Sequence, residues 1–268
     1  MQGKVVIITG GSSGIGKALA LQFGSKGSHI LITGRKKEDL DLAVSEIASK
    51  GIKVVGCQAD VTVEGDNNKM VEMAIKQFGK IDILINNAGI SMRSLFQEVE
   101  LKVIHQVMNI NFFGSVNATH AALPHILKTK GSIIGISSIA GYRGLPGRTG
   151  YSASKFALNG FLEALRTELL KSGVHVLTAC PGFTASNIRK RSLTSEGTSQ
   201  GESPRAEEKM MTAEECAMHI YNATVKHKKT LVLTTQGKLT VFLNRWMSGA
   251  LDKIVYNTMA KEENSPFK

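Results

Sequence analysis

The chain has 268 residues and a formal net charge of +11, and this length suits one large α/β domain spanning residues 1–268 with a well-buried core. Its basic residues are scattered, and no interleaved aromatic residues offer a platform for stacking bases, which argues against a nucleic-acid-binding module. The 3 cysteines and 7 histidines lack metal-ligand spacing, so no metal site is expected, and the cysteines are predicted to be buried thiols in a reducing cytoplasm.

The N-terminal segment combines an apolar run with a glycine-rich turn. Residues 5–8 predict a short buried strand, which leads into the turn 9–16, and a helix is predicted from Lys17 to Lys26. Such a turn brings backbone N–H groups and the positive end of a helix dipole to one point, where a pyrophosphate can bind without conflict from Cβ atoms. Gly10, Gly14 and Gly16 are expected to matter most, although their spacing departs from the common Gly-x-Gly-x-x-Gly fingerprint. The position of the turn after a strand favours cofactor binding over an ordinary glycine loop.

Short apolar runs alternate with helix-length amphipathic segments about six times along the chain. This alternation predicts a three-layer, doubly wound parallel sheet of about seven strands with helices on both faces. After the first strand, further strands are predicted at 30–33, 54–57, 83–86, 132–137, 175–180 and 230–233.

The end of the second predicted strand carries the basic run Arg35-Lys36-Lys37. An acidic residue there would accept from the ribose 2′-hydroxyl of NAD, whereas a guanidinium binds a 2′-phosphate, so the run favours NADP(H) over NAD(H). Glu38 and Asp39 suit the first turn of the next helix, where carboxylates complement the helix dipole. The alternative interpretation of the basic run is a solvated start of that helix.

Ser137 and Ser138 end the predicted strand 132–137, at the edge where doubly wound sheets bind ligands. The Ser138 hydroxyl is a candidate donor to a substrate carbonyl, where it would stabilise developing negative charge. Either serine is also compatible with an ordinary strand end that satisfies backbone groups.

Tyr151 and Lys155 are four residues apart, which places a phenol and an ammonium on one face of a helix. A fixed neighbouring cation favours the phenolate and lowers the pKa of a tyrosine from about 10. Tyr151 would then exchange a proton with an alcohol or carbonyl oxygen. The alternative is a surface pair that shares a helix face by chance.

Together these motifs resemble the short-chain dehydrogenase/reductase family. The resemblance covers residues 4–182 and rests on Thr9-Gly10-x-x-x-Gly14-Ile15-Gly16, Asn86-Asn87-Ala88-Gly89, Ser138, Tyr151-x-x-x-Lys155 and Pro181-Gly182. It implies a Rossmann fold in which Tyr151 is the general acid/base, Lys155 lowers its pKa and binds the nicotinamide ribose, and Ser138 orients the substrate oxygen. The family also has a catalytic asparagine, for which Asn109 and Asn111 are candidates and Asn111 aligns better.

The resemblance further implies the contacts of the cofactor and the substrate. The expected cofactor-binding residues are Gly10, Ser12, Ser13, Gly14, Ile15, Gly16, Arg35, Lys36, Asp60, Val61, Asn87, Ala88, Gly89, Tyr151, Lys155, Pro181, Gly182 and Thr184. The expected substrate-binding residues are Ser138, Tyr151 and Phe183, and the pocket is expected to include their motif neighbours Ser91, Met92, Tyr142 and Arg143.

Two segments after the last motif resemble the family branch that contains dehydrogenase/reductase member 7B and the 11-beta-hydroxysteroid dehydrogenases. Residues 183–211 are polar and irregular and are predicted to form a substrate lid. Residues 238–261 form an amphipathic helical segment whose apolar residues share one broad face. That face is expected to pack on its own domain or on a partner subunit, with a membrane surface as the less favoured alternative.

The sequence therefore predicts an NADP(H)-dependent oxidoreductase that interconverts a carbonyl and a secondary alcohol, on a hydrophobic ketone, without a metal. The first predicted strand begins close to Met1, so a soluble, cytoplasmic enzyme without a leading anchor is expected. A homodimer or homotetramer is implied by the resemblance, with a small-molecule substrate and no nucleic-acid partner. A dinucleotide-binding scaffold without catalysis, and a basic module for nucleic acid or membrane surfaces, are the alternatives.

Overall fold

Seven parallel strands form one sheet in the computed structural model, which describes residues 1–203, 208 and 210–267. In sheet order they are β3 (Val54–Gln58), β2 (His29–Gly34), β1 (Val5–Ile8), β4 (Ile83–Asn86), β5 (Ser132–Ile136), β6 (His175–Cys180) and β7 (Thr230–Val232). All neighbouring strands of this sheet pair in parallel. The predicted doubly wound α/β fold is confirmed, and each strand lies where the apolar runs indicated.

Helices cover both faces of this sheet. In chain order they are α1 (Gly14–Gly24), α2 (Lys37–Ala48), α3 (Glu64–Phe78), α4 (Leu101–Met108), α5 (Gly114–Thr129), α6 (Thr149–Glu168), α7 (Ala213–Val225), α8 (Thr235–Trp246) and α9 (Ser248–Ala260). A π-helical turn at Asn109–Phe113 joins α4 to α5.

Two hydrophobic cores lie on opposite sides of the sheet, because successive strand residues point to opposite faces. Val6 and Ile8 pack against α1, α2 and α7, whereas Ile7 packs against α3, α5 and α6. Each of these strand residues is fully buried, and burying a side chain of this size stabilises the fold by about 1.5–3 kcal/mol. The near-continuous apolar strands that the sequence shows follow from this coverage on both faces.

The chain order of the sheet reverses beside β1, which lies between β2 and β4. At such a reversal the connections leave in opposite directions and open a crevice at the carboxyl ends of the strands. The glycine turn after β1, the basic run after β2 and the Asn-Asn-Ala-Gly segment after β4 all meet at this edge. The topology therefore brings the separate sequence motifs to one place.

The C-terminal segment differs from the prediction of one broad apolar face. It forms two helices, α8 and α9, which are separated at Met247 by a residue with non-helical backbone angles. Leu251 and Met259 of α9 are buried, whereas Phe242 and Trp246 of α8 are largely exposed. The break redirects the second helix, so the apolar residues of the segment divide between the protein interior and the surface.

The predicted lid at 183–211 follows β6. Residues 204–207 and 209 of this prediction lie outside the described residues. In the part that is described, the backbone N–H groups of Arg93 and Ala185 donate to Leu193 and Met211, each at 2.8 Å. These bonds tie the segment to the loop after β4 and to the approach to α7. Along the described part of the chain, no helix has the length and apolar character needed to cross a membrane.

Candidate active site

The glycine turn packs tightly against the segment after β4. The Thr9 hydroxyl oxygen accepts the backbone N–H groups of Asn87 and Ala88, both at 3.0 Å, and the Asn87 side chain donates to the carbonyls of Thr9 and Gly10, both at 3.0 Å. A Cβ atom on Gly16 would lie 2.3 Å from the Gly10 carbonyl oxygen. Gly10 itself has a φ of +63°, in the left-handed region that favours glycine. Only glycine fits both positions, and the turn leaves the N-terminus of α1 open to the crevice.

A cleft of 550 Å³ runs along this edge of the sheet. It is lined by Gly10, Ser12, Ser13, Gly14, Ile15, Gly16, Arg35, Lys36, Asp60, Val61, Asn87, Ala88 and Gly89, together with residues after β6 such as Ser186 and Arg191. The first thirteen of these are predicted cofactor contacts, so the fold collects them in one cleft. Ser13 precedes α1 without a side-chain cap bond, which leaves the first N–H groups of that helix available to an anion.

The basic run after β2 divides between the cleft and the surface. Arg35 and Lys36 are exposed and line the cleft. Arg191 lines the same cleft, and its guanidinium lies 4.0 Å from the Asp39 carboxylate. Lys37 instead begins α2 and pairs with Asp41 at 2.7 Å, so the helix-start interpretation describes this one lysine. The first turn of α2 carries Glu38 and Asp39, as predicted.

A second cavity, of 210 Å³, adjoins the cleft, and Ile15, Asn87 and Gly89 line both. The remaining predicted cofactor contacts, Tyr151, Lys155, Pro181, Gly182 and Thr184, line this cavity, as do Ser138 and Phe183. A ligand that fills both spaces would therefore extend from the basic end of β2 to Tyr151.

Three predicted catalytic side chains converge in the cavity. Tyr151 is partly exposed to it and is hydrogen-bonded to the Ser138 hydroxyl. The Lys155 ammonium is buried, donates to the Ile136 carbonyl at 2.9 Å and lies 5.7 Å from the centre of the Tyr151 ring. The arrangement places a phenol, a hydroxyl group and a cation around one point, because the end of β5 and the first turns of α6 adjoin there.

The electrostatics of the two central groups follow from burial. Burial raises the pKa of Tyr151, while the hydrogen bond from Ser138 and the charges of Arg148 and Arg189 oppose that shift. Burial also lowers the pKa of Lys155 to about 8, because the charged ammonium loses hydration. The cations that act most on the Tyr151 pKa are thus two arginines, whereas the sequence predicted that Lys155 would supply this effect.

The two candidate asparagines differ in burial. Asn109 is exposed, whereas Asn111 is fully buried in the π-helical turn. The Asn111 side chain accepts the Ile90 N–H at 2.8 Å and donates to the Ile90 carbonyl and to the Ser154 hydroxyl, both at 2.9 Å. Ser154 lies between Tyr151 and Lys155 on α6, so Asn111 connects α6 with the loop after β4.

The expected pocket residues are placed in two groups. Ser91 lines the cavity with Phe183. Met92 lies instead in a small apolar core beside α4, and Tyr142 hydrogen-bonds Cys180. Arg143 pairs with Asp252 of α9. Met92, Tyr142 and Arg143 are not among the described residues that line the cavity, because their side chains pack in the apolar core beside α4, against Cys180 and against α9.

Sequence reasoning missed Arg148, Arg189 and Glu262. Both arginines line the cavity and are buried, and Arg148 donates to the Glu262 carboxylate at 3.2 Å. The three-residue spacing of Arg148 and Tyr151 was a local signal, because such residues are neighbours on a helix. Glu262 carries no such local sequence signal, because it reaches the site only through the fold of the C-terminal segment.

Comparison with known proteins agrees with this geometry. The family model described as "short chain dehydrogenase" matches residues 4–197. Dehydrogenase/reductase SDR family member 7B of Danio rerio is 32% identical over 270 residues, which cover 98% of this chain and 87% of that protein. The 11-beta-hydroxysteroid dehydrogenase-like 4A of Arabidopsis thaliana is 36% identical over 232 residues, covering 85% and 75% of the two chains. A short chain dehydrogenase/reductase from Burkholderia phymatum, crystallised in complex with NAD, superposes with a TM-score of 0.84 at 22% identity over 93% of this chain and 95% of that one.

Proposed function

This chain belongs to the short-chain dehydrogenase/reductase family, in the branch of member 7B and the 11-beta-hydroxysteroid dehydrogenases, and is an oxidoreductase acting on CH–OH donors; from that premise, we propose that it is an NADP(H)-dependent reductase of a hydrophobic ketone. The observation that carries the proposal is the hydrogen-bonded Ser138–Tyr151 pair beside buried Lys155, at the end of the glycine-lined cleft. Reduction and oxidation share the same groups, and a cell rich in NADPH would favour reduction.

The cleft fits a nicotinamide dinucleotide. The close approach of Gly16 to the Gly10 carbonyl and the open N-terminus of α1 leave space and donors for a pyrophosphate. Arg35 and Lys36 would bind the 2′-phosphate that distinguishes NADP(H), because charge-assisted bonds to phosphate are strong. Arg191 adds a third cation to the cleft, whose lining also includes the carboxylates of Asp39 and Asp60.

The acid/base steps belong to the residues of the cavity. When bound, the nicotinamide supplies or accepts the hydride. In reduction, Tyr151 gives its phenolic proton to the oxygen of the substrate, while Ser138 donates a hydrogen bond to the same oxygen. The Lys155 ammonium would hold the ribose and stabilise the resulting phenolate, helped by the positive charges of Arg148 and Arg189. Oxidation runs the same steps in reverse.

The lining of the cavity supports a hydrophobic substrate. Apolar side chains form much of its wall: Ile139, Leu145, Phe183, Ile188, Leu251, Ile254, Val255 and Met259. A site of this kind binds an apolar body and fixes its one polar group by a few placed donors. Ser138 and Tyr151 are those donors in the proposed reaction.

We extend the proposal to assembly and location. Phe113 and Phe156 are about half exposed near the outer side of α5 and α6, which supports a homodimer or homotetramer because large exposed aromatic residues are enriched at interfaces. Cys57, Cys180 and Cys216 are buried free thiols, which suits a reducing cytoplasm.

A cofactor titration tests the proposal. Nicotinamide fluorescence is followed for NADPH and NADH with the natural chain, with Arg35→Ala and with Lys37→Ala as the matched control, since Lys37 is engaged by Asp41. We expect NADPH affinity to fall about tenfold or more in Arg35→Ala only, with NADH affinity unchanged. Equal losses for both nucleotides would contradict the NADP(H) preference. Binding without turnover across a panel of hydrophobic ketones would favour the non-catalytic scaffold instead.

A further inference from the structure

A short segment after β6 packs over the glycine turn. A Cβ atom on Gly14 would lie 3.5 Å from the Cβ of Ser186, so the beginning of the segment approaches the turn closely. At its end, the Leu193 backbone N–H donates to the Ser91 carbonyl at 2.9 Å, in the loop after β4. We call residues 186–193 the strap. The strap therefore extends from the end of β6 to the elements that follow β1 and β4.

The strap lines two spaces at once. Its residues in the lining of the 550 Å³ cleft are Ser186, Asn187, Ile188, Arg191 and Leu193. Ser186 and Ile188 also line the substrate cavity. Whatever fixes the position of the strap therefore acts on the cofactor side and on the substrate side together.

Arg191 brings a positive charge from the strap to the cleft. Its guanidinium lies 4.0 Å from the Asp39 carboxylate, and the two side chains are 59% and 48% exposed. Asp39 is in the first turn of α2, after β2, so this ion pair joins segments from opposite sides of the point where the strand order reverses. An exposed ion pair contributes little free energy. A stronger anion that enters the cleft would therefore displace Asp39 from Arg191.

We propose that Arg191 is a further determinant of cofactor choice, which exchanges the Asp39 carboxylate for the 2′-phosphate of NADP(H) and thereby holds the strap over the bound dinucleotide. A phosphate monoester carries a charge of about −1.5 to −2 at neutral pH, and a planar guanidinium binds it through two parallel hydrogen bonds. NADH has a hydroxyl group at that position, so with NADH the Arg191 side chain stays with Asp39. The inference rests on the proposed NADP(H) preference, and it assigns part of that preference to the strap.

Binding measurements on matched variants test the exchange. NADPH and NADH are titrated by nicotinamide fluorescence, and adenosine 2′,5′-bisphosphate and adenosine 5′-monophosphate by calorimetry. Arg191→Gln should weaken binding of the two 2′-phosphate ligands about fivefold or more and leave the other two unchanged. Lys190→Gln removes the same charge one residue away, at an exposed side chain that is not among the described residues lining the cleft, and should change none of them.

The carboxylate side of the pair gives the opposite sign. Asp39→Asn should strengthen NADPH binding, because it removes both the competitor for Arg191 and a negative charge from the cleft. Glu38→Gln is the control, since Glu38 shares the first turn of α2 but is outside the described lining of the cleft. If Asp39→Asn and Glu38→Gln change NADPH affinity equally, the exchange is wrong.

Hydrogen exchange reports on the strap without turnover. Peptides covering 186–193 should be protected more by saturating NADPH than by saturating NADH in the natural chain, and equally by both nucleotides in Arg191→Gln. Equal protection in the natural chain would overturn the claim that the 2′-phosphate holds the strap.

The titrations also separate this inference from the proposed function. If the natural chain prefers NADPH, loses that preference in Arg35→Ala and keeps it in full in Arg191→Gln, the proposed function stands and the role of Arg191 is wrong. If the natural chain binds NADH as tightly as NADPH, both are wrong.

Discussion

Glu262 follows α9 and is buried between two arginines. Its carboxylate lies 3.5 Å from the Arg93 Nε and 3.2 Å from an Arg148 guanidinium nitrogen, and all three side chains are less than one-tenth exposed. Replacing Glu262 with glutamine keeps the shape but removes the anion between two buried cations. Removing one partner of a buried ion pair costs about 3–5 kcal/mol, because the remaining charge stays desolvated.

This cost is comparable to the free energy that the buried apolar side chains of α9 contribute to its packing on the domain. Leu251 and Met259 are the buried apolar residues of that helix, and burial of two such side chains contributes about 3–6 kcal/mol in all. Ordering the helix opposes docking through its conformational entropy. We therefore expect Glu262→Gln to detach α9 locally, while the seven-stranded sheet remains folded.

Hydrogen exchange with peptide resolution measures this outcome. Peptides covering 248–267 should exchange faster in Glu262→Gln, and peptides covering β1, β4 and β5 should not change. Substrate KM should rise because α9 forms a wall of the cavity, while the affinity for NADPH stays constant. Glu263→Gln is the matched control, since Glu263 is exposed and contacts Arg93 through its backbone carbonyl, at 2.6 Å.

Adding Arg93→Met to Glu262→Gln removes one of the two cations and should restore part of the protection. If peptides 248–267 exchange alike in Glu262→Gln and Glu263→Gln, the Glu262 carboxylate does not hold α9 in place. If β1 and β4 also lose protection, Glu262 supports the whole domain and the local account fails.

Gly16→Ala should weaken NADPH binding about tenfold or more, because the new Cβ would lie 2.3 Å from the Gly10 carbonyl oxygen. The control in the same fluorescence titration is Gly65→Ala in α3, where the new Cβ would have no contact within 4 Å outside its own helix. Tyr151→Phe should lower kcat about 10²–10⁴-fold and leave the affinity for NADPH unchanged. Steady-state kinetics and the NADPH titration measure the two quantities, and an unchanged kcat, or a loss of NADPH affinity as large as the loss of kcat, would contradict the proposed role of Tyr151. Burial lowers the pKa of Lys155 to about 8, so its ammonium is present below that pH and is lost above it. The affinity for NADPH should therefore fall as the pH rises through this value. In Lys155→Met, the affinity should be lower and should not depend on pH in this range.

The parts of the site that the sequence predicted are those encoded within a few residues of one another. The glycine turn follows β1 directly, and Tyr151 and Lys155 share one helix face, so both patterns are visible before folding. The doubly wound topology then brings the turn and the first residues of α6 to one edge of the sheet. The family resemblance favoured Asn111 over Asn109, but the burial that distinguishes the two side chains depends on how the π-helical turn packs in the domain.

Much of the substrate side of the cavity is encoded at long range, which explains why the sequence did not reveal all of its lining residues. Arg143 is next to a motif position, yet it leaves the cavity because Asp252 and Asn244, more than a hundred residues later, draw its guanidinium toward the C-terminal helices. Glu262 likewise reaches Arg148 only because α8 and α9 break at Met247 and turn back over the 138–151 segment. In the proposed function, hydride transfer depends on these local motifs, whereas the choice of substrate would depend on C-terminal residues whose positions are set by tertiary ion pairs and buried anchors. Substitutions in α8 and α9 should therefore change the preferred substrate with less effect on catalysis than substitutions of Tyr151 or Lys155. Both helices form part of the cavity wall, and among the described residues neither helix hydrogen-bonds to Tyr151 or Lys155.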